Sequence, residues 1–129
     1  MRNLENVISK MDFQYFAQGQ HIMQPEVFLE LKDVVLLDVR AKVECETIGL
    51  NMSHHCKVLE IPVDEVPTRI NEIPKDKLVG VFCSGAIRAT IIFTYLVGMG
   101  YTDVKILAGG YSTLMEALMP GKIYKKISK

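Results

Sequence analysis

The chain has 129 residues, of which 49% are hydrophobic, and its 15 basic and 15 acidic residues give a formal net charge of zero. This length and apolar content suit one domain with a buried core, and the scattered charges give no reason to expect a nucleic-acid partner. No apolar run approaches the roughly 20 residues that cross a bilayer, and the first residues lack the apolar region of a signal peptide. We therefore expect a cytoplasmic protein with no membrane partner. The three cysteines have no paired spacing, which predicts reduced thiols.

Residues 1–20 carry the weakest patterns. The segment LENVIS has weak helical spacing, and DFQYFAQG alternates aromatic and polar residues as an edge strand does. We interpret these residues as an extension packed on a domain that spans 21–119. The last residues, 120–129, are a basic tail, for which we predict a solvated end.

The domain is expected to begin with a helix and a buried strand. Pro25 suits the first position of the helix, and an apolar stripe that includes Phe28 follows it. The run Val34 to Leu37 is continuously apolar, which is typical of a central parallel strand that is covered on both faces.

Three charged residues, Asp38, Arg40 and Glu44, follow this strand. They could form a charged catalytic cluster. However, an aspartate at a strand end more often accepts backbone N–H bonds or pairs with an arginine to hold neighbouring loops. We therefore expect Asp38 and Arg40 to support the site, with Arg40 available as a secondary contact for an anion.

The segment 45–58 is predicted to be a long loop, and it contains Cys45, His54, His55 and Cys56. Adjacent histidines in one loop rarely both reach one ion, and the spacing matches none of the usual structural zinc patterns. We therefore predict no metal site. Cys45 and Cys56 are expected to be packing or exposed residues, with a resolving thiol as the alternative.

Strands and helices then alternate to the end of the chain. Strands are predicted at 57–61, 78–82 and 104–107, with a short helix within 63–74 and a buried helix over 89–97. Gly109 and Gly110 should form a tight turn, after which Ser112 is expected to cap a last helix that runs to about residue 119.

The most informative position is Cys83, which lies between the strand at 78–82 and the helix that follows. The first turn of a helix offers unpaired N–H groups and a positive dipole end, and Arg88 adds a fixed positive charge. Both features lower the pKa of a thiol, so Cys83 is the predicted nucleophile. The uncharged turn can curl its N–H groups inward, so the predicted substrate-binding residues are Ser84, Gly85, Ala86, Ile87 and Arg88. The alternative, from spacing alone, is that Cys83 is an inert buried residue.

Four ordered segments resemble the signatures of the rhodanese-like family. They are VVLLDVRAKVE at 34–44, LEIPVDEV at 59–66, VGVFCSGAIRA at 79–89 and GYTDVKILAGGYSTLMEA at 100–117. A cysteine and an arginine at this spacing would be weak evidence, but their combination with LLDVR and LxGG is specific. The resemblance implies an α/β domain of three layers, with a central, mostly parallel sheet flanked by helices. It also implies that Cys83 takes the place of the family's loop cysteine, which accepts a sulfane sulfur as a persulfide.

The resemblance implies a sulfurtransferase that needs no cofactor. A sulfane sulfur would pass from thiosulfate or a thiol persulfide, on a small molecule or a protein, through Cys83 to a nucleophilic acceptor such as a thiol. Many relatives that use thiosulfate carry a basic residue and a glycine late in the loop, where this chain has Ala86 and Ile87. These two residues would make the mouth of the site, where a donor enters, apolar. An apolar mouth attracts a dianion poorly, which favours a persulfide or a protein donor.

Two other classes of function stay open. One is a non-catalytic binding or regulatory module, although such copies of the domain typically lack the cysteine. The other is a phosphatase or arsenate reductase, whose cysteine and arginine are separated by five residues in the related enzymes. In this chain only four residues intervene between Cys83 and Arg88. The sequence leaves the oligomeric state open.

Overall fold

A computed structural model describes residues 2–128 as five strands and seven α-helices, with two short 3-10 turns. The strands are β1 (Ile22–Met23), β2 (Val35–Asp38), β3 (Lys57–Glu60), β4 (Val79–Phe82) and β5 (Val104–Leu107). The helices are α1 (Arg2–Ser9), α2 (Phe13–Gln18), α3 (Pro25–Glu30), α4 (Lys42–Thr47), α5 (Ile87–Gly98), α6 (Gly110–Ala117) and α7 (Pro120–Ile127). Within these residues, none of the helices is long and apolar enough to span a membrane.

The sheet has the strand order β1-β5-β4-β2-β3, and all of its pairs are parallel. This confirms the expected fold class, a parallel sheet flanked by helices. In β2 and β4, Asp38 pairs with Phe82, so the residues that follow both strands meet at the same edge of the sheet. Ligands of open α/β sheets bind at the carboxyl ends of the strands, and this edge carries Cys83.

Each face of the sheet has its own core. Alternate residues of a strand point to opposite faces, which places Leu37 and Val81 in the core that contains α5. Leu36 and Phe82 belong to the other core, with residues of α3 and α6. The burial of each such leucine or phenylalanine stabilises the fold by about 1.5–3 kcal/mol. Because both faces are covered, the strands are the continuous apolar runs that the sequence displays.

Both ends of the chain are helical, including the segment for which an edge strand is predicted. DFQYFAQG contains helix α2 and no edge strand; the Asp12 carboxylate caps the helix by accepting the N–H of Tyr15 at 2.9 Å, and Gly19 ends it in a left-handed conformation. LENVIS lies in helix α1, which packs against α5. The tail, expected to be a solvated end, forms helix α7, in which no residue is buried; its Lys126 donates to the carbonyl of Leu29 at 2.8 Å.

Three internal expectations are also corrected. The helix expected within 63–74 is replaced by two 3-10 turns, Val63–Glu65 and Ile70–Glu72. Pro67 lies between them, and a proline lacks the N–H that a continuous helix needs there. The segment 45–58 is not all loop, since α4 includes its first residues. The last helix of the domain begins at Gly110, so Ser112 lies inside α6 and does not cap it.

Candidate active site

Cys83 follows β4 directly and is almost completely buried, with 1% of its surface exposed. The backbone N–H of Ala89, in the first turn of α5, donates to Cys83 Sγ at 3.3 Å. The first N–H groups of a helix have no partners within the helix, and they carry its positive partial charge. The sulfur therefore lies where a negative charge would be stabilised by the start of α5.

The turn between Cys83 and Arg88 packs closely against the start of α6. Gly110 has φ of +60°, and a Cβ at this position would lie 2.1 Å from the carbonyl oxygen of Ser84. Any larger residue would push the turn away, so Gly110 is what allows the two segments to approach. Ser84 is half-buried, while Gly85, Ala86 and Ile87 are exposed at the mouth.

Arg88 makes a bidentate ion pair with Glu44 of α4. Its two terminal nitrogens lie 2.5 Å and 3.0 Å from the carboxylate oxygens, and one of them also donates to the Ser84 hydroxyl at 2.8 Å. The pKa of Arg88 is raised, mainly by the hydrogen bond to Glu44. Both terminal nitrogens of the guanidinium therefore face a carboxylate.

Asp38 and Arg40 form a second ion pair below the site, and both side chains are fully buried. Arg40 donates Nε to one oxygen of Asp38 at 2.9 Å and a terminal nitrogen to the other at 2.7 Å. Its remaining terminal nitrogen donates to the Tyr111 hydroxyl at 3.0 Å, and its guanidinium packs against the rings of Phe82 and Tyr111. Because Arg40 is enclosed on all these sides, an anion in the site has no direct path to it.

The cysteines of segment 45–58 do not face a common metal site. Among residues 2–128, the only three potential ligands that come together are Asp38, Cys45 and Glu60, with ligand atoms within 4.8 Å of one another. Asp38 is already paired with Arg40, and burial, followed by the charge of Asp38, raises the pKa of Cys45 to about 11. Cys56 packs against the core of α3 and α6, and burial raises its pKa to about 11 as well. Both thiols are therefore protonated near neutral pH, which makes them poor ligands and poor nucleophiles.

The sequence profile of the rhodanese-like domain matches residues 26–117, which is most of the chain. The chain belongs to the rhodanese-like domain family. A protein named sulfurtransferase from Allochromatium vinosum is 35% identical over 81 residues, which are 63% of this chain and 71% of that protein. The family match and this relative support a sulfurtransferase, whose activity implies a sulfur donor and a sulfur acceptor.

Solved structures of rhodanese-like proteins agree with this assignment. The chain resembles a rhodanese-like domain protein from Staphylococcus aureus with a TM-score of 0.56 and 28% identity, over 67% of this chain and 78% of that one. It also resembles a NAD-dependent persulfide reductase from A. fulgidus, with a TM-score of 0.55 and 36% identity. That match covers 64% of this chain but only 14% of the reductase, so this rhodanese-like domain corresponds to a small part of that enzyme.

Two residues of this rhodanese-like site were not assigned a site role from the sequence. The sequence pattern groups Glu44 with the charged residues Asp38 and Arg40, and it gives Tyr111 no site role. Glu44 lies 44 residues from its partner Arg88, and Tyr111 lies 71 residues from Arg40. Glu44 ends the family-like segment 34–44 and lies in the first turn of α4, where acidic residues are favoured by the helix dipole in any protein, but neither signal indicates a pairing with Arg88.

Proposed function

We propose that this chain transfers a sulfane sulfur through a persulfide on Cys83, from thiosulfate or a thiol persulfide to a nucleophilic acceptor such as a thiol. The proposal rests mainly on the hydrogen bond from the Ala89 N–H to Cys83 Sγ at 3.3 Å. A preorganised donor of this kind stabilises negative charge on Cys83 Sγ before the attack on the donor, and again when the thiolate leaves in the second step. The family assignment adds support, because a sulfurtransferase needs a nucleophile in such a position.

The chemistry is a double displacement. The Cys83 thiolate attacks the outer sulfur of R–S–SH, the S–S bond of the donor breaks, and its electron pair leaves with RS⁻, so that Cys83–S–SH remains. With thiosulfate the leaving group is sulfite, and the enzyme holds Cys83–S–S⁻. In the second step an acceptor thiolate attacks the outer sulfur of this persulfide, and the Cys83 thiolate is regenerated. Sulfur changes carrier in each step, and no outside oxidant or reductant is consumed.

The other residues have supporting roles in this proposal. Ser84, Gly85, Ala86 and Ile87 form the turn through which the outer sulfur reaches Cys83, and Arg88 supplies positive charge beside it. The narrow exposure of Cys83 suits a terminal sulfur better than a bulky group. Asp38 and Arg40 form a buried ion pair that supports the residues around the turn.

Replacement of Cys83 tests the proposal directly. Wild-type protein incubated with a sulfane donor should gain the mass of one sulfur atom, and the Cys83→Ser variant should gain nothing, since a serine hydroxyl is not ionised near neutral pH. Intact-mass spectrometry measures the gain, and circular dichroism checks that the variant is folded. The matched controls, Cys45→Ser and Cys56→Ser, should load as the wild type does, because both thiols are protonated near neutral pH.

Three outcomes would contradict the proposal. Loading of Cys83→Ser would place the reactive thiol elsewhere. A wild-type protein that gains no sulfur from thiosulfate or from a thiol persulfide would favour a non-catalytic module. Hydrolysis of para-nitrophenyl phosphate, dependent on Cys83, would favour a phosphatase, although the six-residue turn should crowd a tetrahedral oxyanion.

A further inference from the structure

The mouth of the Cys83 turn contains one cation, and that cation is paired with a carboxylate. Of residues 83–88 only Arg88 is charged, and Glu44 holds both of its terminal nitrogens. The side chain of Arg88 is 35% exposed and that of Glu44 is 29% exposed, so the pair lies at the surface where a donor arrives. Ile87, the other large side chain of the turn, is apolar and 79% exposed.

Glu44 is held in this position independently of Arg88. One of its carboxylate oxygens accepts the backbone N–H of Ala41 at 2.9 Å, at the start of α4. The hydrogen bonds from Arg88 and then from Ala41 lower the pKa of Glu44 to about 2. Its negative charge is therefore constant under any condition in which a thiol transfers sulfur, and it cannot swing away while the Ala41 bond persists.

A doubly charged donor gains little at such a mouth. The attraction of Arg88 for an approaching anion is opposed by Glu44, which accepts from both of its terminal nitrogens, and the attraction lost in this way is twice as large for a dianion as for a monoanion. The other ion pair at this edge of the sheet, Asp38 with Arg40, is buried and also neutral in sum. Residues 83–88 contain no second positive charge that could offset the carboxylate of Glu44.

We infer that Glu44 is a specificity-determining residue, whose carboxylate cancels the charge of Arg88 at the mouth and so selects singly charged thiol persulfides over dianionic thiosulfate. This inference rests on the proposed sulfur transfer at Cys83 and names its donor class. Glu44 touches Arg88 and not the reacting sulfur, so it acts through charge and position.

The test compares Glu44→Gln with a matched control, Glu46→Gln. Glutamine keeps a side-chain oxygen for the Ala41 N–H, and it removes the charge together with the second oxygen that accepts from Arg88. Glu46 is exposed two residues further along α4, on the opposite side of the helix, so its replacement changes the net charge equally without changing the mouth. Transfer kinetics are measured with thiosulfate and with cysteine persulfide, at low and at high ionic strength.

Glu44→Gln should lower the KM for thiosulfate by about fivefold at low ionic strength, with kcat little changed, because one removed charge acts on a dianion near a solvated surface. The effect on cysteine persulfide should be smaller, and salt should reduce both. Glu46→Gln should leave both donors unchanged. An unchanged KM for thiosulfate in Glu44→Gln, or an equal change in Glu46→Gln, would overturn the inference. A loss of kcat with both donors would also overturn it, since Glu44 would then serve only to hold the turn in place.

A second measurement does not depend on sulfur transfer. The alkylation rate of Cys83 by anionic iodoacetate, divided by its rate with neutral iodoacetamide, reports the potential at the mouth and can be followed by peptide mass mapping. This ratio should rise about two- to threefold in Glu44→Gln and stay constant in Glu46→Gln. An unchanged ratio would overturn the inference even if the wild type transfers sulfur. If the ratio rises but no donor loads the wild type, the electrostatic role of Glu44 holds and the proposed sulfur transfer fails.

Discussion

Arg40 and Arg88 make the same kind of interaction in two different environments. Each follows the carboxyl end of a strand of the same sheet edge, and each binds a carboxylate through two nitrogens. The Arg40 pair joins residues two positions apart and is completely buried, whereas the Arg88 pair joins residues 44 positions apart and is partly exposed.

Burial separates the roles of the two pairs. A fully buried arginine cannot lose its partner without leaving a charge in the interior, and this cost ties Arg40 to Asp38 permanently. Arg88 keeps contact with water, so its pair with Glu44 adds little to stability and is free to respond to a ligand. The Arg40 pair is therefore structural, whereas the charge that the Arg88 pair presents at the mouth can be changed without unfolding the protein.

The largest expected effect comes from removing the carboxylate of the buried pair. Asp38→Ala should destabilise the fold by about 3–5 kcal/mol, because Arg40 would remain buried without a counter-charge. Glu44→Ala, the equivalent change at the exposed pair, should cost less than about 1 kcal/mol, since solvent screens it. Urea denaturation measures both free energies of unfolding.

If Asp38→Ala does not fold, Asp38→Asn provides the same comparison, because the amide retains one acceptor for the guanidinium and the protein should be destabilised by an intermediate amount. Equal losses of stability at Asp38 and Glu44 would mean that burial does not distinguish the two pairs.

The fold was largely predictable because its strands are buried on both faces. Continuous apolar runs placed β2, β4 and β5 within one residue of their observed bounds, and the same signal gave α5. The first residues were mispredicted because Phe13 and Phe16 are exposed in α2, so the periodicity of that helix does not report on burial. There the capping residues Asp12 and Gly19 were the better signal.

The site was predictable only where it is local. The spacing of Cys83 and Arg88 along one turn gave the candidate nucleophile and its cation without knowledge of the fold. Asp38 is a local partner of Arg40, but the other partners of the two arginines come from distant elements: Glu44 from α4, and Tyr111 from α6. Their positions depend on the strand order and on the close approach of Gly110 to Ser84, neither of which any local pattern encodes.

A smaller effect is expected from the hydroxyl above the buried pair. Tyr111→Phe keeps the ring that packs against Arg40 but removes the oxygen that accepts its terminal N–H. A buried donor left without a partner costs about 1–2 kcal/mol, measured again by urea denaturation. Tyr124→Phe is the matched control, because the Tyr124 side chain is largely exposed, and its stability should equal that of the wild type. If Tyr111→Phe is as stable as the wild type, the hydrogen bond from Arg40 to the Tyr111 hydroxyl does not stabilise the fold, and the hydrogen bonds to Asp38 are sufficient.

The smallest expected effect is the contribution of the exposed pair to stability as the pH falls. The pKa of Glu44 is lowered to about 2 in the fold, below its ordinary value of 4.5, chiefly by the hydrogen bond from Arg88. A group with a lowered pKa adds stability above its unfolded pKa, and that stability is lost as the pH falls towards its folded pKa.

The difference in unfolding free energy between wild type and Glu44→Gln should therefore be constant from neutral pH to about pH 5, and should shrink between about pH 4.5 and pH 3. Its full size should stay below about 1 kcal/mol, because solvent screens a pair with this exposure. Urea denaturation of both proteins across this range measures it. A difference that stays flat down to pH 3 would mean that the charge of Glu44 does not stabilise the fold through Arg88. Of the two ion pairs, only Asp38 with Arg40 would then stabilise the fold through its charges.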